Sequence, residues 1–489
     1  MTNKVALANQ FIAEHVTEVV QDYRHHFHLM APIGWINDPN GFIYFQGTYH
    51  LFYQHYPYDS KWGPMHWGHA KSVDLIHWEH LPVALAPDQD YDADGCYSGS
   101  AIERDGKLYL IYTGHVEHDG VRREVQCLAV SEDGIHFEKN AANPIIGDEQ
   151  LLGIDADIAD FRDPKVFARD GSYYCVVASK TSDDLGQILL FKSDDLLTWS
   201  FFSVLLTGEP KHGTMWECPD LFYLDGKDVL ILSPIAMPAA DYAFENSNST
   251  VAFIGQVDWQ TGTFKVDNYH EIDGGMDFYA PQTCLGPNGE RIMIAWMQMW
   301  QRTLPTDDQN HLWAGAMTLA RRLSIKNLTL RQVPVLGQLK PVTQKLAIPE
   351  NHRDTVILDQ NFTDSCYLKF DLDLSKTSQV DIELAKSVSS AIRLKVDLEK
   401  QSITLDRDGF GLALTGQEAA PLNSRQVPLV LDKSKKLTIE IVRDTSSIEI
   451  FTDSGQSLTA TFYETDKSQV IGLSSVGDLT GELTYSVIS

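Results

Sequence analysis

Three seven-residue stretches share one frame, Ser-x-Asp-x-x-x-aromatic: Ser72, Asp74 and Trp78; Ser131, Asp133 and Phe137; Ser193, Asp195 and Trp199. Their starts lie 59 and 62 residues apart, and a weaker echo around Asp258, Trp259 and Phe264 follows about one period later. Each reads as a tight hairpin turn, because short Ser and Asp side chains bond to nearby backbone N–H groups. Around them the chain is built of short aromatic and β-branched runs, such as 42–45, 49–53, 108–112 and 172–177, separated by Gly, Asp and Asn. Chance recurrence of one turn type among many strands is the plain alternative. A strand-rich repeat of this length otherwise suggests a β-propeller with one four-stranded sheet per blade, which places five blades of roughly 60 residues between 28 and about 325.

Near residue 330 the texture changes. Pro334, Gly337, Pro341 and Pro349 interrupt a stretch with little periodicity, so 326–350 reads as a linker. Beyond it, over 351–489, clean alternation returns at 366–374, 380–384, 392–398, 402–405, 437–442 and 448–451, the pattern of a β-sandwich. This second unit lacks paired aromatic and acidic motifs and is expected to support rather than catalyse. Ahead of the propeller, residues 1–27 hold an amphipathic helix read from Val5 to Tyr23, with Leu7, Phe11, Val16, Val19, Val20 and Tyr23 on one face. The expected fold is therefore all-β: a five-bladed β-propeller, then a C-terminal β-sandwich, with a short N-terminal helix.

Charge excludes some functions. Lys plus Arg is 39 against 67 for Asp plus Glu, a net charge of −28, which repels nucleic acid and anionic membranes. The six cysteines form no CxxC pair, which favours a reducing compartment over a disulfide framework. No early segment has the apolar core of a leader and no run approaches a membrane span, so a cytoplasmic protein is expected. Oligomeric state is left open.

Three acids are framed with unusual care. Trp35-Ile-Asn37-Asp38-Pro39-Asn40-Gly41 holds a carboxylate in a tight turn: Pro39 pushes Asp38 out of the helical region, and Gly41 can take a positive φ. Phe161-Arg162-Asp163-Pro164 sets an acid between an arginine and a proline, and Trp216-Glu217-Cys218-Pro219 sets one beside a tryptophan. Singly, each also reads as an ordinary turn or a structural ion pair. Together, at the edges of strand-like runs, they offer what glycoside hydrolysis requires, one ionised and one protonated carboxyl. Arg162 would hold Asp163 ionised, and an aromatic, water-poor setting would suit Glu217 as a general acid.

In that order these blocks resemble glycoside hydrolase family 32, the invertases, β-fructofuranosidases and sucrose-6-phosphate hydrolases. Phe52-Tyr53-Gln54, Trp62-Gly63-Pro64-Met65-His66-Trp67-Gly68-His69, Tyr97-Ser98-Gly99-Ser100, Asp277-Phe278-Tyr279-Ala280-Pro281-Gln282 and Ala295-Trp296-Met297 agree with it. The resemblance implies a propeller and sandwich. It also implies a retaining hydrolase that cleaves the β-fructofuranosyl bond of sucrose, sucrose 6-phosphate or short fructo-oligosaccharides, without a cofactor. By it Asp38 is the nucleophile, Glu217 the acid/base, and Asp163 the ligand of fructose hydroxyls, aided by Arg162. Asn37, Gln54, Trp62, Ser98 and Trp296 complete the sugar pocket, with Tyr279 in a supporting or rim position. Transfructosylation by the same acids, or a non-catalytic sugar-binding propeller, are the alternatives. One block departs from the family: Met317-Thr318-Leu319 continues as Ala320-Arg321-Arg322 rather than Pro-Arg-Glu.

A phosphorylated substrate would need local positive charge, for which Arg302, His311, Lys211 and His212 are candidates. No metal site is expected. Asp90, Asp92 and Asp94 imitate the start of a calcium loop, but its twelfth position is Ala101, and His66 and His69 lack further ligands. Cys218 has no partner signature for a thiol nucleophile.

Overall fold

The computed structural model describes residues 3–349, 355–356, 365–387, 390–417, 421–465 and 471–488. Its strands form seven sheets, five of them between residues 34 and 334. The first strands of these five are Gly34–Phe45, Gly95–Arg104, Arg162–Arg169, Met215–Leu224 and Tyr279–Leu285. Each touches the next, and the fifth touches the first, so the strands close a ring. The chain seals this ring itself: Trp313–Ala314, from within the fifth sheet's sequence, pairs in parallel with Gly34 and Trp35 of the first. Closure buries the first strand of each sheet at the centre and leaves only the outer strand as a free edge.

The repeated Ser-x-Asp frame is one turn built three times, between the third and fourth strands of successive sheets. Ser72, Ser131 and Ser193 accept an N–H three residues on, and Asp74, Asp133 and Asp195 each accept two. The residue after each Asp has a positive φ: Leu75 at 68°, Gly134 at 72° and Leu196 at 67°. Only glycine adopts that region without strain, so at Leu75 and Leu196 the serine and aspartate bonds hold a backbone that would otherwise relax. The echo at Asp258 lies at the same turn of the fourth sheet, where Asp258 accepts the Gln260 N–H.

Residues beyond the ring make two six-stranded sheets facing one another. Alternate residues such as Leu368, Phe370, Leu372, Ile382, Leu394, Ile439 and Ile450 fill one core between them, the expected sandwich pattern. Strands occupy much of the stretch read as a linker. Thr329–Pro334 is the outer strand of the fifth sheet, and Val342–Ile348 pairs with Leu479–Val487 at the edge of the sandwich. Pro334 and Pro341 stand at strand limits, where a missing N–H costs little.

The N-terminal helix is shorter than expected. It runs Lys4–His15, capped by Asn3, and then tightens into a 3-10 turn over Val16–Glu18. The β-branched Val16, Thr17, Val19 and Val20 disfavour continuing it. Leu7 and Val16 of the proposed apolar face are exposed, whereas Val19 is buried.

Ring and sandwich meet through buried charges. Arg321 bonds Asp273 of the ring and Glu449 of the sandwich, and Asp277 of the ring bonds Arg302 and Arg407. The departure from the family block falls around Arg321: Ala320 is buried in the ring and Arg322 is exposed, so the central arginine keeps its partners. All six cysteines are free, and no described helix is long and apolar enough to cross a membrane.

Candidate active site

Every first strand carries a register shift at one end of the ring. The shifts fall between Ile36 and Pro39, Tyr97 and Gly99, Arg162 and Lys165, Glu217 and Asp220, and Tyr279 and Gln282. Such bulges bend a strand and re-aim its side chains. Four contain a proline, Pro39, Pro164, Pro219 and Pro281, which cannot donate to a ladder and so fits where pairing is interrupted. The residues before three of these prolines, Asp163, Cys218 and Ala280, have φ of 63°, 48° and 51°. Each such non-glycine position costs on the order of 1 kcal/mol or more, strain that persists only because packing holds it.

The bulges turn three carboxylates into one cavity of about 180 Å³. Of the residues expected there, Asn37, Asp38, Gln54, Trp62, Ser98, Arg162, Asp163 and Glu217 line it. Asp38 is orientated on both oxygens: Oδ1 accepts from Asn37 Nδ2 at 3.0 Å and Oδ2 from Ser98 Oγ at 2.8 Å. Asn37 is itself fixed by the Trp35 indole N–H at 2.6 Å. Asp163 Oδ2 accepts the Cys218 N–H at 2.9 Å. The Cys218 thiol lies 3.5 Å from Asp38 Oδ2 and 3.6 Å from Asp163 Oδ2, spanning the two. Glu217 receives Arg162 Nε and Nη2 on Oε1, at 3.2 and 3.0 Å, and the Tyr279 hydroxyl on Oε2 at 2.5 Å.

Burial and mutual repulsion set the charges. Burial raises the Asp38 carboxyl above its ordinary value, and the Glu217 charge adds to this against the Ser98 and Asn37 hydrogen bonds. Burial likewise pushes Asp163 up to about 7, opposed by Arg162 and reinforced by Glu217 and Asp38. Arg162 thus acts on Asp163 in the expected direction without offsetting its burial. Its guanidinium bonds Glu217, Glu124 and Asp160. Trp216 does not shield Glu217: that indole is fully buried in the core of the third and fourth sheets and donates to His212 O.

Of the two positions open to Tyr279 the structure has the supporting one, 1% exposed behind Glu217. Trp296 is completely buried, packed on Trp35 and Trp300 with ring centroids 5.7 and 4.9 Å away, so it backs the pocket without lining it. The aromatic wall is Trp300, with Tyr97 and the 47% exposed Trp62. Tyr97, Arg122, Glu124 and Trp300 were missed. Tyr97 was legible beside Ser98, whereas Glu124 and Arg122 come from a strand without a motif. The candidate phosphate ligands do not reach the cavity either. Arg302 is held by Asp277, His212 and His311 are buried elsewhere, and Lys211 pairs with Glu209. The cations lining the cavity are Arg162 and Arg122, and Arg122, partly exposed, pairs with Asp160 at 3.2 Å.

A carboxylate held on both oxygens, a second acid between an arginine and a phenol, and a third buried beside them suit displacement at an acetal carbon. Comparison with known proteins agrees. Residues 28–334 match the family model described as the glycosyl hydrolases family 32 N-terminal domain, and residues 338–487 match its C-terminal counterpart. A sucrose-6-phosphate hydrolase of Escherichia coli is 40% identical over 443 residues, 88% of this chain and 87% of that one. A raffinose invertase of the same species is 37% identical over 457 residues, 91% of each chain. Among solved structures, a Bombyx mori family 32 β-fructofuranosidase variant in complex with sucrose superposes with a TM-score of 0.84 at 32% identity, covering 100% of this chain and 99% of that one.

Proposed function

The chain belongs to glycosyl hydrolase family 32, and we propose that it hydrolyses the β-fructofuranosyl bond of sucrose or sucrose 6-phosphate by double displacement. The observation that carries this reading is the convergence of Asp38, Asp163 and Glu217, from three strands, on one cavity. Relatives named for sucrose 6-phosphate and a neighbour solved with sucrose support the substrate class.

In this reading Asp38 attacks the anomeric C2 of the fructosyl unit. Asn37 and Ser98 leave its carboxylate little freedom to turn away, which lowers the entropic part of the barrier. Glu217 gives its proton to the departing glycosidic oxygen, then takes one from the water that releases fructose. Tyr279 and Arg162 hold the side chain that must do both. Asp163 bonds the fructose hydroxyls and strengthens that grip as positive charge develops on the ring. Retention requires nucleophile and acid/base about 5 to 5.5 Å apart. Trp62, Tyr97 and Trp300 form the aromatic mouth for the leaving sugar, and Arg122 is the cation there to meet a 6-phosphate. Six free cysteines, five of them buried, fit a reducing, cytoplasmic setting.

The test is kcat/KM for sucrose, sucrose 6-phosphate and kestose with wild type, Asp38→Asn, Glu217→Gln and Arg122→Ala. The first two changes should each lower kcat at least 1,000-fold, as loss of a nucleophile or acid commonly does. Arg122→Ala should raise KM for the phosphorylated sugar about tenfold and leave sucrose almost unchanged. Equal activity of the acid variants and wild type would overturn the reading.

A further inference from the structure

Away from the catalytic cavity, His25 and His28 of the N-terminal segment meet Asp444 of the sandwich. One ligand-type atom from each lies within 4.8 Å of the others. His25 Nδ1 is 3.6 Å and His28 Nδ1 2.8 Å from Asp444 Oδ2, and all three side chains are at most 2% exposed. His25 Nδ1 is buried and has no hydrogen-bond partner.

The surroundings fix both rings the same way round. His28 lies between two carboxylates, Nε2 donating to Glu449 and Nδ1 to Asp444, each across 2.8 Å, so Nε2 keeps its proton when the Nδ1 proton is displaced. His25 Nε2 lies 3.4 Å from Ser446 Oγ, whose own proton is donated to Tyr23 O at 2.7 Å, leaving that oxygen to accept. Both Nδ1 atoms thereby face one carboxylate oxygen, His28 Nδ1 donating to it and His25 Nδ1 without a partner. Asp444 is held in turn by the backbone N–H groups of His26, Phe27 and Thr445. An outer acceptor on the far nitrogen of each imidazole is how proteins orient histidines that bind metal.

We propose that His25, His28 and Asp444 bind a divalent transition-metal ion of the zinc type, stapling the N-terminal segment to the sandwich. Two imidazoles and one carboxylate suit Zn²⁺, whose ligands at 2.0 to 2.1 Å stand about 3.4 Å apart in a tetrahedron. A single carboxylate is too little for calcium or magnesium. Binding exchanges the His28–Asp444 hydrogen bond for two metal bonds and releases that proton to water.

The test uses chelator-treated full-length protein titrated with Zn²⁺ alone by calorimetry, and with Co²⁺ followed by visible absorption. Wild type should take up one ion per chain, show the intense bands of four-coordinate cobalt and melt at a higher temperature with zinc. His25→Gln removes a ligand that bonds nothing else through Nδ1, so it should fold, hydrolyse its sugar normally and bind zinc at least 100-fold more weakly. Ser446→Ala should weaken binding about tenfold by freeing the ring. Wild type without saturable uptake, or His25→Gln binding as tightly as wild type, would overturn the proposal. The cobalt spectrum decides it should the variant not fold.

Discussion

The Tyr279 hydroxyl donates to Glu217 Oε2 across 2.5 Å, from a side chain that is itself shut away from solvent. Arg162 holds the other oxygen, so the acid/base is clamped from two sides. Tyr279→Phe removes one clamp and keeps the ring that packs on Trp296 and Ala280. A hydrogen bond to a charged group contributes about 1.5 to 3 kcal/mol. With that interaction used in the transition state, kcat/KM for sucrose should fall about 10- to 100-fold, mainly in kcat. Steady-state kinetics checks this; an unchanged kcat would show that Arg162 alone positions Glu217.

Asp163 gives a pH signature in stability. Its folded value is about 7 against roughly 3.9 in an unfolded chain, chiefly through burial. Between these limits the folded state holds more protons than the unfolded one, so stability falls as pH rises. The penalty is absent below about pH 4 and complete above about pH 7, reaching at most about 4 kcal/mol. Asp163→Asn cannot ionise and escapes it. The variant should be catalytically impaired yet unfold at higher urea than wild type at pH 8, with the difference vanishing near pH 4. Urea titrations at the two pH values measure it.

What the chain revealed in advance follows from where side-chain identity constrains geometry. The three acids near Pro39, Pro164 and Pro219 were legible at strand edges because proline is excluded from an unbroken ladder, and the Ser-x-Asp frame marked turns because its atoms make the turn's own bonds. Direction was less legible. Nothing in Phe161-Arg162-Asp163 tells which acid the guanidinium reaches, since that depends on Glu217 arriving from another sheet. Glu124 and Arg122 enter the site only because the Val121–Ser131 strand pairs with Lys107–His118, the second strand of its sheet, a relation set by pairing rather than by a local motif. The Val342–Ile348 strand was read as a linker because its partner lies more than a hundred residues downstream.

The tryptophans separate packing from binding. Trp296 is wholly buried, so Trp296→Ala should cost about 3 to 5 kcal/mol of stability by leaving a cavity beneath the site. Trp62 is 47% exposed at the mouth, so Trp62→Ala should leave stability within about 1 kcal/mol of wild type and raise KM for sucrose about tenfold. Denaturant midpoints and KM values for the pair give the test. Similar losses of stability in both would show that Trp62 packs rather than binds.

Arg321 and Arg322 make the corresponding contrast at the junction of ring and sandwich. Arg321 is fully buried, bonds Asp273 and Glu449, and lies 4.6 Å and 4.9 Å from the Phe278 and Phe451 rings. Arg321→Ala leaves two acids buried without their cation, and breaking such a pair costs about 3 to 5 kcal/mol. Its neighbour points to solvent, so Arg322→Glu, which restores the family's acid at that position, should shift stability by no more than about 0.5 kcal/mol. Because Phe278 precedes Tyr279, Arg321→Ala should also lower kcat, coupling the sandwich to the acid/base through one residue. Urea unfolding of both variants beside their kcat values checks this. A destabilised Arg321→Ala protein with wild-type kcat would show that the junction holds the domains together without positioning Tyr279.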